Sequence, residues 1–405
     1  MQDYIIVGGG IAGLYSAYQI KKKYPESKLL ILERNRKGYL GGRTGNEMFE
    51  GTQVVTGAGI GRKKKDRLLI QLLRDLGIKT HEFPTTTQYS HVLGPHCHVK
   101  AIFLELRKQY NKKTHGHLTF KEYATTHLSQ DQYQYFLMCS GYTDYENQSA
   151  YDTLYHYGFE DNYSQWIGLH VPWKILVDRL ATKIGLENIR YSENVLKINK
   201  TGQGFSIKTK TSQYESEKII IATTVESLKK MLPDYPIYKQ IHSQPFIRIY
   251  GKFSKSSISL MKTHVSQTTI VPGPIHKIIP MNPEHGVYMI GYSDNEGATI
   301  LKDYAKNTKA NREHIARMIE ASLGMPKNML ELESIVEYYW KEGTHYYEPL
   351  HGHDAEHGRD AFIKAAQRPE PNMWVVGEVV AKHQGWVEGA LESVNKIIDE
   401  VFMPN

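Results

Sequence analysis

The first apolar run, Tyr4 to Val7, is continuous and gives way at once to glycines, which reads as a buried strand and a turn, with a helix from about Ile11. A second run, Leu29 to Leu32, reads as another buried strand. Further along, AIFLELRKQY, LTFKEYATTHL and DQYQYFLMC place apolar residues at helical spacing, whereas PFIRIYGKF and GVYMIGYS read as strands. Near the end, Val387, Ala390, Leu391, Val394, Ile397 and Ile398 fall on one stripe of a helix, and Gly389 and Ala390 allow that helix a close approach to a sheet. The polar stretches GPHCHVK and HGHDAEHGRD read as surface connections, and the chain has no internal repeat or low-complexity segment.

Composition adds bounds to this pattern. With 405 residues, 40% hydrophobic and 23% charged, the chain is expected to fold as a globular protein of two or three domains. The first strand begins by residue 3, leaving no room for a signal or transit peptide, and no apolar run reaches bilayer length, so a soluble, cytoplasmic protein is expected. Cys97 and Cys139 match no zinc or redox motif and are too few for a disulfide framework, so they are read as structural bystanders. The net charge of +7 is concentrated in KKKYP (Lys21 to Pro25) and RKKKD (Arg62 to Asp66). Both runs fall where a helix leaves or enters the sheet, which makes them solvated faces and gives no nucleic-acid partner. The histidines of HCHV (His96 to Val99) and HGHDAEH (His351 to His357) lie on polar loops, and no metal site is assigned to them.

The chemistry begins at the first turn, where Gly8, Gly10 and Gly13 fit G-x-G-x-x-G. The first glycine allows the tight turn, the second lets backbone approach a pyrophosphate, and the third lets the helix, with Ala12 in its first turn, pack closely on the strand. Glu33 ends the second strand 20 residues past the last glycine, where an acid accepts ribose hydroxyls. This unit predicts dinucleotide binding, and by itself serves NAD and FAD alike.

The next stretch, LERNRKGYLGGRTG, carries Arg34 and then Leu40-Gly41-Gly42-Arg43-Thr44, a glycine pair beside an arginine that can pair with phosphate. This arrangement resembles the flavin-containing amine oxidoreductases, the family of monoamine, polyamine and L-amino-acid oxidases. Other blocks are similar to that family's. GTQVVTGAGIG (Gly51 to Gly61) looks like the strand and turn that set Gly57, Ala58, Gly59 and Ile60 beside the flavin ring, and GLHVPWKILVDRLATKIG looks like the helix returning the chain to the FAD domain. Val195 matches the position whose backbone meets adenine. The closing stretch VVGEVVAKHQGWVEGALES matches the family's terminal signature, in which Gly377 and Glu378 end a strand and Gly385-Trp386-Val387 open the last helix. That helix would turn its N-terminus to the flavin pyrimidine ring, and Glu378 would hold ribityl or pyrophosphate groups.

The resemblance implies an α/β fold with a Rossmann-like FAD-binding domain built from residues 1–80, 165–243 and 366–405. An α+β substrate domain would comprise 81–164, mainly helical, and 244–365, rich in sheet. It implies oxidation of an amine by hydride transfer to FAD, hydrolysis of the imine, and reoxidation by oxygen to hydrogen peroxide, with no general base required as a motif. In YYWKEGTHYYEPL, Tyr346 would form an aromatic wall with Trp386, and His345 is the alternative one position earlier. Thr344 and His345 stand where some relatives attach flavin to cysteine, so FAD should be noncovalent. Arg248 stands where the family often has a lysine near flavin N5, and its guanidinium could instead pair with an amino-acid carboxylate. Asp144, Glu146, Asp152, Glu160 and Asp161 would suit a di- or polyamine, against a simpler reading as a solvated acidic face. Three classes follow: an amine or polyamine oxidase, favoured here; a flavoenzyme acting on another CH-NH or CH-CH donor such as an amino acid; and a catalytically weak FAD-binding interaction protein. The chain stops at VFMPN with no apolar tail, so no membrane partner is expected, and the sequence leaves the oligomeric state open.

Overall fold

The structure of the protein, a computed structural model, describes residues 1–94, 97–159 and 165–403, and of 352–357 the backbone alone. His96, Glu160, Asp161, Pro404 and Asn405, and the side chains of His353 and His357, lie outside the described residues.

The strand Gln2–Val7 is apolar on both faces because it is covered on both. It pairs in parallel with Leu29–Leu32 and with Gln213–Ile221, and the sheet extends to Ile189–Arg190 on one side and to Met373–Val375 on the other. The antiparallel meander Val195–Thr201, Gly204–Thr209 and Gln213–Ile221 completes it. Three segments distant in sequence therefore build one sheet. Helices Ile11–Lys23, Trp173–Ile184 and Val387–Asn395 bury their stripes on one face, and Val225–Met231 and part of Gly352–Gln367 cover the other. The predicted C-terminal stripe is buried as expected, although the helix breaks after Asn395 and resumes at Ile398–Val401.

The second sheet runs in the order Leu332–Tyr347, Ile241–Phe253, Val287–Asp294, Lys277–Asn282, Thr268–Ile270, Thr87–Tyr89. Its first two strands pair from Ile241↔Tyr347 to Phe253↔Leu332, and Ile241–Phe253 runs straight through the expected junction at residues 243 and 244. One face packs on helices Ile258–His264, Asn295–Tyr304 and Lys309–Leu323. The other turns Arg248, Tyr250, Met289 and Tyr292 toward the hairpin Asn46–Phe49/Thr52–Val55 and the turn that follows it. A helical lobe spans Val99–Gln109 to Ala150–Tyr155 around Phe103, Phe120, Tyr123, Phe136 and Phe159. LTFKEYATTHL forms only the short helix Phe120–Thr125, opened by a capping box between Thr119 and Glu122.

Three readings of the sequence need correction. Cys97 and Cys139 are joined in a disulfide across the helical lobe, because folding brings residues 42 apart in sequence to a Cα separation of 5.4 Å. HGHDAEHGRD is not a loop but the start of helix Gly352–Gln367, interrupted at Gly358, whose φ of 82° breaks the helical path. In GPHCHVK the connection ends at His98, and Val99 already begins a helix. The basic runs divide: Lys63, Lys64 and Lys65 are exposed, whereas Arg62 and Asp66 are buried and paired at 2.7 Å. No helix among the described residues is long and apolar enough to cross a membrane, and no group of three His, Cys, Asp or Glu among them is placed to hold a metal ion.

Candidate active site

The glycine turn is built for close approach. At Gly8, φ is +104° and a Cβ would meet the Ala222 carbonyl oxygen at 2.4 Å, while a Cβ on Gly13 would meet the Gly8 oxygen at 2.0 Å. Around Gly10 the space is open within 4 Å, and this residue caps the helix without a side chain, with no acid in the first helical turn. The helix N-terminus therefore presents its amide donors and positive dipole end to an open cradle, which fits an anionic dinucleotide phosphate. Glu33 is buried, and its carboxylate accepts the Gly9 N–H at 2.7 Å and the Asn35 N–H at 2.8 Å, each oxygen keeping lone-pair capacity for ligand hydroxyls. Arg34 is exposed beside it. The Glu193 N–H donates to the Glu33 carbonyl, which brings the strand beginning at Val195 alongside.

The Gly41–Arg43 turn lies directly over the glycine turn. The Gly41 N–H donates to the Gly9 carbonyl at 2.9 Å, and a Cβ on Gly42 would meet Gly10 Cα at 3.4 Å. From the far end of the chain, Gly377 arrives with its Cβ position 3.7 Å from Ala12, and its N–H donates to Ser393 Oγ.

Glu378 ties these pieces together. One carboxylate oxygen accepts the backbone N–H groups of His345 (2.9 Å) and Gly385 (3.0 Å), and the other accepts both terminal nitrogens of Arg43 (3.1 Å) and the His345 ring Nδ1. Burial alone would raise this carboxyl, but His345 and Arg43 beside it outweigh burial and hold it well below the ordinary glutamate range. His345 Nε2 accepts the Val225 N–H at 3.2 Å, which leaves Nδ1 as the protonated nitrogen that faces Glu378. The expectation that Glu378 holds ribityl or pyrophosphate groups meets a carboxylate already engaged by five protein donors.

The turn Thr56–Gly59 is clamped from four directions. Trp340 Nε1 donates to the Thr56 carbonyl (2.7 Å), Arg248 Nε to that of Gly57 (2.9 Å) and Trp173 Nε1 to that of Gly59 (3.1 Å), while the Ala58 N–H donates to the Arg43 carbonyl (2.7 Å). Gly57 must be glycine, since a Cβ there would meet the Arg43 oxygen at 2.2 Å. Ile60 follows, partly exposed, at the mouth of the strand Gly61–Arg62. Trp386 caps the helix Val387–Asn395 in extended conformation, and the Arg62 guanidinium lies 3.9 Å from its ring centroid, so one face of the indole is covered.

Successive strand residues point to opposite faces, so with His345 turned to Glu378, Tyr346 lies on the other face of the sheet, stacked on its cross-strand partner His242 at 5.3 Å and on the same side as Gln244 and Arg248. The acidic residues disperse. Asp152 is a buried partner of Arg359 at 2.8 Å, and Glu146 accepts the Tyr133 hydroxyl at 3.0 Å, so each is engaged within the protein. Asp144 accepts the Tyr157 hydroxyl, and burial followed by the neighbouring Asp294 pushes its carboxyl up to about 8.

Two features escaped the sequence pattern. Lys277, from HKIIP, is a buried lysine on the same sheet face as Arg248, and nothing in its apolar surroundings marked it as anything but a strand edge. Glu388, inside the terminal signature, accepts the Leu68 and Leu69 N–H groups at 2.8 and 2.9 Å and so caps helix Arg67–Asp75 from another element; its burial beside an apolar stripe was the available signal.

Comparison with known proteins agrees with this geometry. Residues 98–394 match the family described as flavin containing amine oxidoreductase, and residues 6–76 match an NAD(P)-binding Rossmann-like domain. Among solved structures, cyclohexylamine oxidase from Brevibacterium oxydans IH-35A superposes with a TM-score of 0.77 at 16% identity, covering 99% of this chain and 98% of that one. A putrescine oxidase bound to putrescine superposes with a TM-score of 0.76 at 14% identity over the same shares, a likeness of fold. An uncharacterized protein of Acanthamoeba polyphaga mimivirus is 40% identical over 57 residues, which are 14% of this chain and 11% of that protein. With the family match running over most of the chain and the α/β two-domain fold shared end to end, the protein belongs to the flavin-containing amine oxidoreductase family.

Proposed function

We propose that the protein is an FAD-dependent oxidase of amines, holding FAD without a covalent bond and taking hydride from the carbon that bears the nitrogen of a mono-, di- or polyamine. The observation that carries this reading is the meeting of three remote segments, Gly8–Gly13, Gly41–Arg43 and Gly377–Trp386, around Arg43 and Glu378. In this reading residues 1–80, 165–243 and 366–405 hold the cofactor, and 81–164 and 244–365 receive the substrate. The helix at Ile11 faces the phosphates, Glu33 the ribose, and the backbone of Gly57 to Ile60 runs along the ring, with Val195 near adenine.

When bound, FAD supplies the two-electron acceptor, passing electrons to oxygen to give hydrogen peroxide. The rest falls to the chain. Trp386, steadied by Arg62, offers one indole face as a wall that orients a neutral amine and excludes water. His345, with both ring nitrogens engaged, is a fixed part of the frame and not a mobile proton carrier. The Val387 end of the last helix directs its dipole to the site, where it favours accumulating negative charge. Water then hydrolyses the released imine.

The test is direct. The purified protein should be yellow, acid should release intact FAD, and anaerobic addition of amines should bleach the flavin, with colour and peroxide returning on admission of oxygen. A folded, colourless protein that does not take up FAD would overturn the reading.

A further inference from the structure

Two lysines are buried among the described residues, and the fold treats them differently. Lys218 donates its ammonium to the carbonyls of Val401 (3.2 Å) and Met403 (2.6 Å), the ordinary way of satisfying such a group inside a protein. Lys277 keeps 6% of its surface exposed, and its nitrogen makes no hydrogen bond or ion pair with the described residues. It rests instead on the Tyr142 ring, 2.8 Å from the centroid, with the Tyr292 ring 5.1 Å away. Gly141 lies against the lysine stem, where a Cβ would meet Lys277 Cε at 3.0 Å. A methionine would fill this place without desolvating a charge, so packing alone does not account for an amine here.

The surroundings favour the uncharged amine. Burial is the largest influence on Lys277 and lowers it, and Arg248 on the same Tyr292 ring adds to that; Asp294 and Asp144 act the other way without cancelling burial, so the group lies well below the ordinary lysine range. Both acids have other donors: Asp294 accepts the Thr143 N–H (3.0 Å) and hydroxyl (2.5 Å), and Asp144 accepts the Tyr157 hydroxyl. The Asp144 carboxyl, pushed up to about 8 by burial and Asp294, keeps its proton at neutral pH and is a proton donor for a leaving nitrogen. Tyr142, Asp144, Tyr157 and Tyr292 each retain accessible surface, and Tyr292 connects them to Arg248 and through it to the Gly57–Gly59 turn. A desolvated lysine amine beside another cation is a nucleophile toward carbonyl and imine carbon.

We infer that Lys277 is the nucleophile of a covalent imine site, which takes the carbon product of amine oxidation onto the protein before releasing it. The inference rests on the proposed amine oxidation for the source of the imine, and the lysine is tested separately from it. With a primary amine as substrate, Lys277 Nζ adds to the imine carbon, a proton passes to the nitrogen that leaves, and ammonia departs. The imine and the lysine amine thus become a lysine-bound imine and ammonia, with nothing oxidised or reduced. Water then releases the carbonyl compound and restores the amine. An aldehyde supplied from outside enters the same site directly, with loss of water.

The test incubates the FAD-bound protein at pH 7 with butanal or benzaldehyde and cyanoborohydride, which reduces an imine to a stable secondary amine, and locates the modified lysines by peptide mass mapping. At this pH an exposed lysine is neutral in only about one molecule in 2,500. Lys277 should therefore be alkylated at least about ten-fold faster than the exposed Lys64 and Lys197, even with restricted access. An unmodified Lys277, or one alkylated no faster than Lys64, would overturn the site. Lys277→Met should lose this mass increment and no other; should that variant not fold, the map of the unaltered protein still decides. If amines bleach the flavin and aldehydes leave Lys277 unmodified, the imine site fails and the amine oxidase reading stands. Alkylation of Lys277 by aldehydes in a protein whose flavin no amine bleaches would do the reverse.

Discussion

Glu378 shows how one residue can hold a site together from the end of the chain. Its carboxylate gathers donors from Arg43, His345 and Gly385, residues that no local pattern connects. Because these partners hold its acid form below the ordinary glutamate range, the stabilisation is present at neutral pH and is lost as pH falls below that range. Glu378→Gln should therefore cost about 3 kcal/mol of unfolding free energy at pH 7, the order for breaking a buried pair. The gap between variant and wild-type denaturation midpoints should stay level from pH 7 to about 5 and narrow as the pH is lowered through the ordinary glutamate value of about 4.3 and below it. A gap that does not narrow on going below that value would mean that the carboxylate charge contributes nothing. Tyr346 teaches the complementary lesson: a shift of one position along the strand Leu332–Tyr347 moves a side chain from Glu378 to the opposite face, and only the pairing His345↔Ser243 fixes which residue is which.

Elements in this protein borrow their terminations from one another. Helix Arg67–Asp75 has no capping hydrogen bond from Asp66, its own N-cap residue, and its first amides are met by Glu388 of the terminal helix. Glu388→Ala should lower stability by roughly 1–2 kcal/mol, the range for losing a helix cap, with faster amide exchange at Leu68 and Leu69. Glu388→Gln, which keeps one acceptor, should lose less; if alanine and glutamine are equally mild, the cap is not energetically coupled. The helical lobe is tied differently, by the disulfide between Cys97 and Cys139. Protein prepared without reductant should show no free thiol, and Cys139→Ser should lower stability by about 2–4 kcal/mol, because the bond closes a loop of 42 residues in the unfolded chain. Detection of both thiols in the folded protein would refute the link.

At the scale of the whole molecule, the first sheet is a device for bringing remote segments together. Gln2–Val7 lies between Leu29–Leu32 and Gln213–Ile221, a strand from the middle of the chain that in turn pairs with Met373–Val375 from its end. The loops at the ends of these parallel strands therefore converge, which is why glycines at 8–13, 41–42 and 377 meet. The second sheet then presents Arg248 to the Gly57–Gly59 turn, so the face proposed to receive substrate is also the face that clamps the turn.

Much of this was legible in order along the chain. The strand, glycine turn and helix at the start, the acid at Glu33 and the closing Gly-Glu and Gly-Trp pairs are local, because a tight turn, a helix N-terminus and a close backbone approach each demand particular residues at fixed spacing. What the sequence could not decide was which side chains face each other across elements. The separation of Tyr346 from Glu378, the pairing of the cysteines, the capture of Arg62 by Trp386 and the meeting of Lys277 with Arg248 all depend on strand register and packing between segments far apart in sequence. Local preference sets where a strand or helix forms; the alternation of side chains in a paired strand and the burial of one element against another set what each residue touches.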